Sequence, residues 1–159
     1  MRGKVMRANY TDFTIKYNMY KDMIYSIAYT YTHNRSDAED ICQDVFIKYL
    51  NSSVEFKTLD NEKYWIIRVV INTSKSYLKK SWKEKVILNY EIVSAGPSDV
   101  NSKMFELIHG LSNKYKEIIV LYYYENLKID EISKILHITK DNAKKRLQRA
   151  REMIKERNI

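Results

Sequence analysis

The chain has 159 residues, a formal net charge of +8 and a sequence pI near 9.4. Apolar residues make up 45% of it, which excludes disorder throughout, and three Gly with one Pro exclude a turn-rich β protein. The excess of base calls for an anionic partner, either nucleic acid or a membrane surface. The lone Cys42 excludes an intramolecular disulfide and fits a reducing compartment.

The opening "MRGKVMRANYTDF" has no uninterrupted apolar stretch, so no signal peptide is expected. The longest apolar runs, "YWIIRVVI" and "IIVLYYY", are too short to span a bilayer, and a cytoplasmic protein is expected. Phe13 and Tyr17, then Tyr20, Met23, Ile24, Ile27, Ala28 and Tyr31, recur at helical spacing. They predict a short helix and then a longer one ending near Thr32. "HNR" reads as a turn. Ser36 and Glu39 form a capping box that starts the next helix, whose inner face is Ala38, Ile41, Cys42, Val45, Phe46 and Tyr49. Loop chemistry follows in "NSSVEFKTLDN". A long helix over 61–83 places Trp65, Val69, Asn72 or Thr73, and Ser76 down its inner side.

Beyond Lys85 the periodicity dissolves. The stretch 86–101 contains the Gly96-Pro97 pair and reads as a flexible linker, which fully extended reaches roughly 50 Å. Shorter helices follow: one over 102–109, one capped by Ser112 with Tyr115, Ile118, Ile119 and Tyr122 inward, and "IDEISKIL" with Ile132, Ile135 and Leu136 inside. Thr139 caps the last helix, whose inner stripe is Ala143, Leu147, Ala150 and Ile154. The expected fold class is therefore all-α, with two small helical domains, each with its own core.

Three segments carry functional chemistry. "IDEISKILHITKDNAKKRLQRAR" has helix-turn-helix form, with Ile138 as an apolar plug and His137 where the turn usually takes Gly, so His137 is expected in a left-handed conformation. The first of its helices starts at Lys128-Ile129 without a good capping side chain. The second shows Lys140, Asn142, Lys144, Lys145, Arg146, Gln148, Arg149 and Arg151 outward, the donor set of a major-groove helix, and Thr139 with the helix N-terminus can hold a phosphate. "INTSKSYLKKSWKEK" interleaves Lys75, Lys79, Lys80, Lys83 and Lys85 with Tyr77 and Trp82, which suits single-stranded DNA. The helix over 37–50 is acidic in a basic protein. Dipole compensation accounts for Asp37, Glu39 and Asp40 in its first turn but not for Asp44. The acids cluster away from the buried stripe and so form a surface of one sign.

"DAEDICQDVFIKYL", "YWIIRVVINTSKSYLKK" and "LSNKYKEIIVLYYYENLKIDEISKILHITKDNAKKRLQRAR", in this order, resemble regions 2 and 4 of bacterial extracytoplasmic-function (ECF) sigma factors of the sigma-70 family, group IV. The resemblance implies a region 2 helical bundle over 1–85, a linker over 86–101 and a region 4 helix-turn-helix over 102–159. It implies a non-enzymatic promoter-specificity subunit of RNA polymerase, active in transcription initiation and its regulation in a stress or cell-envelope response. The implied partners are core polymerase (largest-subunit clamp helices and flap), promoter DNA and an anti-sigma factor, in the family often membrane-anchored, with no small-molecule substrate. By the same resemblance Asp40, Gln43, Asp44 and Ile47 bind polymerase. The loop "VEFKTLDNEK" and Arg68, Asn72, Lys75, Lys79 and Lys80 hold the minus-ten DNA, including a flipped base. Thr139, Lys140, Asn142, Lys144, Lys145, Arg146 and Arg149 hold the minus-thirty-five DNA.

His33, His109 and His137 are scattered and Cys42 lies on a buried stripe, so no metal or other cofactor is expected, and no catalytic constellation appears. The alternative is a stand-alone helix-turn-helix regulator, which leaves the acidic helix unexplained. A basic RNA-binding scaffold explains charge but not the helix-turn-helix.

Overall fold

The computed structural model describes residues 10–88 and 102–157. Among these the chain is all helical: α1 (Tyr10–Thr32), α2 (Arg35–Asn51), α3 (Leu59–Leu88), α4 (Ser102–Ile108), α5 (Asn113–Ile119), which runs on into a π turn at Val120–Tyr124, α6 (Ile129–Leu136) and α7 (Lys140–Arg157). The N-terminal stretch expected to lack a leader, and the linker with its Gly96-Pro97 pair, lie outside the described residues apart from the last turn of α3, which enters the expected linker as far as Leu88.

The two helices expected before Thr32 are one. No Gly or Pro interrupts 10–32, and the Asn and Thr it contains cost only tenths of a kcal/mol each in a helix. The turn to α2 uses His33 at φ 53°, in the left-handed region. The cap of α2 is Asn34 rather than Ser36. Asn34 has extended backbone, and its Oδ1 accepts the Asp37 N–H at 2.9 Å. Ser36 therefore sits inside the first turn, and Glu39 pairs with Arg35 at 3.2 Å on the surface instead of closing a capping box.

Helices α1, α2 and α3 pack into a three-helix bundle around Ile24, Ile27, Ala28, Ala38, Ile41, Val45, Ile66, Ile67 and Val70, all nearly or fully buried. Each of the five Ile stabilises the bundle by roughly 2 kcal/mol of transfer free energy. The buried row of α3 is Glu62, Ile66, Ile67, Val70, Ile71, Thr73 and Ser74, so that of the expected stripe Thr73 is buried and the rest is rotated away. Trp65 and Val69 lie half-buried on its flank, while Asn72 and Ser76 are exposed. Trp65 packs against Phe56 (5.6 Å) and Tyr49 (6.3 Å), which tethers the 52–58 loop to the bundle.

The second unit packs α4, α5, α6 and α7 around Ile108, Ile118, Leu121, Ile132, Ala143, Leu147 and Ala150. The π turn is closed by Glu125 N–H to Val120 O (2.9 Å). The missing cap of α6 is supplied from within: the Glu131 carboxylate accepts the Lys128 N–H at 3.2 Å. The two units do not keep separate cores. Helix α5 packs on α1 and α6 on α3, and their buried apolar side chains form one cluster, with Tyr29 edge-on to Phe105 at 5.1 Å.

Candidate nucleic-acid and partner interfaces

On α2 the apolar stripe turns Ala38, Ile41 and Val45 inward, and the opposite side exposes Asp40, Gln43, Asp44 and Ile47. Ile47 is 54% exposed and its neighbour Leu50 41%. With Phe13, Tyr17, Cys42 and Phe46 they border a groove of about 890 Å³ between α1 and α2. The Tyr77 hydroxyl donates to Asp37 (2.8 Å) and lies 3.4 Å from the Asp40 carboxylate. Tyr77 is thus occupied with α2, and its pKa is pushed up by burial and by those carboxylates. Burial also pushes the Cys42 thiol up to about 12, so it is a weak nucleophile.

The α3 candidates divide. Asn72, Lys79 and Lys80 are exposed. Arg68 donates through Nη2 to the Lys134 carbonyl (3.0 Å), and the Lys75 ammonium lies 3.4 Å from the Glu117 carboxylate, so both are engaged by the second unit. Trp82, Lys83 and Lys85 have side chains outside the described set.

Sequence reasoning missed the residue that shapes the neighbouring cavity. Glu62 is buried, and its carboxylate accepts from Lys16 Nζ (2.8 Å), Tyr20 (2.8 Å) and Tyr49 (3.0 Å). Burial alone would raise its pKa; the three donors outweigh it and hold the carboxyl below its ordinary value. Glu62, Tyr49 and the loop residues Ser52, Val54, Glu55 and Phe56 line a cavity of about 300 Å³. The available signal was an acid one turn before Ile66, on the helix's apolar side.

In the helix-turn-helix, His137 takes the left-handed conformation expected of it (φ 55°, ψ 44°). Thr139 Oγ1 accepts the Asn142 N–H at 3.0 Å and caps α7. Ala143, Leu147 and Ala150 are buried, which leaves Lys140, Asn142, Lys144, Lys145, Gln148 and Arg149 exposed. Lys140 rests on Asp130 (3.1 Å) and Arg149 on Glu152 (3.3 Å), both surface pairs that yield readily to a phosphate. Arg146 differs from the others. It is half-buried, held by Asn142 (3.1 Å) and facing Glu117 (3.8 Å). Arg151 is exposed as well, donates to the Tyr123 hydroxyl and lies over the Tyr122 and Tyr123 rings.

Two histidines that look scattered in the sequence meet. His33 and His109 stack at 3.6 Å and 7°. Burial, then His109 and Lys116, push His33 down to about 4; burial, Lys116 and Arg157 lower His109. The pair is neutral at pH 7. Among the described residues no group of three or more His, Cys, Asp or Glu is placed to hold a metal ion, and no helix is long and apolar enough to cross a membrane.

The family model for Sigma-70 region 2 matches residues 17–84 and that for Sigma-70 region 4 matches 103–154. The RNA polymerase sigma factor SigV of Bacillus subtilis is 30% identical over 140 residues, 86% of this chain and 84% of its own. The ECF RNA polymerase sigma factor SigW of the same organism is 29% identical over 160 residues, 87% of this chain and 84% of its own. Among solved structures, the sigma factor RpoE crystallised with the anti-sigma factor NepR from Bartonella quintana matches with a TM-score of 0.75 at 21% identity, covering 91% of this chain and 95% of that one. CnrH, solved with the cytosolic domain of CnrY, matches with a TM-score of 0.70 at 16% identity, covering 98% of this chain and 92% of that one. The exposed acidic face of α2 and the basic helix α7 thus sit on a fold shared with such factors, and the chain belongs to the sigma-70 family as an ECF RNA polymerase sigma factor, a non-enzymatic subunit of transcription initiation.

Proposed function

We propose that residues 1–85 act as the region 2 unit, 86–101 as the linker and 102–159 as the region 4 unit, working in the cytoplasm with core polymerase. The region 2 unit docks on the clamp helices of the largest subunit through Asp40, Gln43, Asp44 and Ile47. Its α3 residues Arg68, Asn72, Lys75, Lys79 and Lys80 hold the minus-ten element. The cavity beside Glu62, bounded by the 52–56 loop, is sized for one unstacked base. The region 4 unit contacts the flap and places α7 in the major groove of the minus-thirty-five element. There Lys144, Lys145 and Arg149 face the bases and phosphates, with Thr139, Lys140, Asn142 and Arg146 at the entry to the groove.

The observation that carries this reading is the α2 face. Two carboxylates, one amide and an exposed Ile47 stand together on the side away from the core, beside an open groove. A stand-alone DNA-binding regulator has no use for it. A surface of one sign selects a partner of the other and adds apolar area at its centre. The test is Asp40→Lys with Asp44→Lys. Both side chains are exposed, so helix content by circular dichroism stays unchanged, and co-purification with core polymerase is expected to fall at least tenfold. Undiminished binding by a folded double variant removes α2 from the interface.

Control by an anti-sigma factor, directly or from a membrane anchor, fits the same surface, since RpoE was crystallised with such a factor. A regulator of this kind competes with core polymerase for the α2 face, and the promoters served belong to a stress or envelope response.

A further inference from the structure

The geometry points to an anion site in the corner where α4 turns into α5: Lys116 forms its floor and His109, Arg157 and His33 its rim, around a free phosphate-type dianion. The inference rests on neither the polymerase nor the promoter assignments made above.

Lys116 lies on α5 and is only 8% exposed. A lysine so deep is normally paired. Among the described residues, however, no hydrogen bond or ion pair reaches its side chain. The adjacent acid does not serve it. Glu117 accepts from the Tyr31 hydroxyl and lies 3.4 Å from the Lys75 ammonium and 3.8 Å from Arg146. Burial without a countercharge lowers the Lys116 pKa, the mark of a cation held at a cost.

The rim carries more donors and no carboxylate. His109 is exposed in the turn after α4, and its ring stacks on the half-buried His33 at 3.6 Å. Lys116 is close enough to both rings to disfavour their protonation. Arg157, from the last turn of α7, lays its guanidinium on Gly110, where a Cβ would stand 2.6 Å from both Nη atoms. The glycine thus leaves the room in which Arg157 reaches the corner. Arg157 is exposed and, like Lys116, has no hydrogen bond or ion pair among the described residues. The acids next in sequence, Glu106 and Glu156, are exposed and pair with none of these groups.

An ammonium, a guanidinium fork and an imidazole N–H here come from different elements. A tetrahedral oxyanion has an oxygen for each, whereas a planar carboxylate does not. A phosphate-type dianion also supplies the countercharge that Lys116 lacks, in a corner partly screened from water. The source is a free anion, inorganic phosphate or a small monoester, rather than promoter DNA. The groove-facing residues of α7 end at Arg149, and Arg157 lies about 12 Å further along the helix axis.

The experiment titrates the full wild-type chain with inorganic phosphate at neutral pH, against sodium chloride of equal ionic strength. The ring signals of His33 and His109 in NMR report occupancy, and thermal unfolding reports binding to the folded chain. Lys116→Met, Arg157→Gln and Gly110→Ala are compared, with far-UV circular dichroism as the folding control. Wild type is expected to show saturable movement of both ring signals and a rise in Tm that chloride does not reproduce. Lys116→Met is expected to be at least as stable as wild type without phosphate, since a buried unpaired charge is gone. It is expected to bind phosphate about tenfold more weakly or worse, as is Arg157→Gln, whose exposed position keeps the test open if Lys116→Met fails to fold. Gly110→Ala pushes the guanidinium aside and is expected to weaken binding with both cations still present. No saturation in wild type, or an equal response to chloride, overturns the inference. So does saturation that survives unchanged in Lys116→Met and Arg157→Gln, which would put the phosphate elsewhere. Displacement of phosphate from the His33 and His109 signals by a minus-thirty-five duplex would make the DNA backbone the ligand and overturn the free-anion reading.

Discussion

Removing the Glu62 carboxylate is the sharpest test of how the region 2 unit is held together. Three donors from α1 and α2 converge on this one side chain of α3, so it ties all three helices at one point. In Glu62→Ala the Tyr20 hydroxyl is left buried, with only 5% of the residue exposed. The Lys16 side chain is 24% exposed and regains water, so its share of the loss is small. Tyr49 is half-buried and recovers part of its loss. A hydrogen bond to a charged group contributes about 1.5–3 kcal/mol, and a buried partner left unsatisfied costs about 1–3 kcal/mol. These contributions overlap, and the expected net loss is about 3–4 kcal/mol of unfolding free energy. Glu62→Gln keeps an acceptor and loses the charge, with an expected loss of about 1–2 kcal/mol. Urea unfolding followed by circular dichroism reads both values. The pH dependence has a definite sign. The folded carboxyl is depressed below the unfolded value of 4.5, so its stabilisation is complete above that value and fades as the pH falls through the folded pKa. The gap between wild type and Glu62→Ala therefore narrows in acid. A loss under about 1 kcal/mol, or a gap that widens in acid, refutes the reasoning.

In promoter-directed transcription, Lys145→Ala and Arg149→Ala are each expected to reduce output. A base contact costs about 1–3 kcal/mol and relaxes preference at one position in a promoter library, whereas a phosphate contact weakens all sequences alike. His137→Gly removes a left-handed non-glycine residue, and unfolding free energy is expected to rise by about 0.5–1 kcal/mol in thermal or urea melts. In an NMR titration the His33 ring is expected to protonate near pH 4, far below the free-imidazole value. Because its folded pKa is depressed, the stability it supports is complete above the unfolded value of 6.5 and declines as the pH falls below it. A midpoint near 6.5 would show that the His33 ring is not buried against His109.

Periodicity exposes what a helix does to itself and conceals which helices meet. The inward faces of α2 and α7 were legible, because Ala38, Ile41 and Val45, and Ala143, Leu147 and Ala150, repeat at helical spacing and are buried. The helix-turn-helix was legible down to the left-handed His137, since a turn that lacks its Gly must still bend. The row on α3 was misread in part because Trp65 and Val69 are apolar but lie half-buried on the flank, where Trp65 holds the loop through Phe56. The start of α2 was misread because two residues in "NRS" can cap, and the extended backbone of Asn34 decides between them. The two polar centres, Glu62 and Glu117, were invisible for a different reason. Each gathers donors from 13 to 86 residues away, and a buried acid reads in sequence like a surface one. Both sit next to apolar residues on an inward row, Glu62 one turn before Ile66 and Glu117 beside Ile118, and that intrusion is the usable signal. The joining of the two units followed the same pattern, since neither Tyr31 nor Lys75 announces a partner beyond the linker.

The most direct measurement of the central claim is transcription by core polymerase stripped of its own sigma factor, with and without this chain, on a library of promoter-sized duplexes, alongside DNA binding by the chain alone. The account predicts initiation at a fixed distance from a shared two-part sequence only when both proteins are present, and specific duplex binding by the chain that depends on core polymerase. Tight, sequence-specific binding of the chain alone to palindromic duplexes, with no effect on core polymerase, would contradict it.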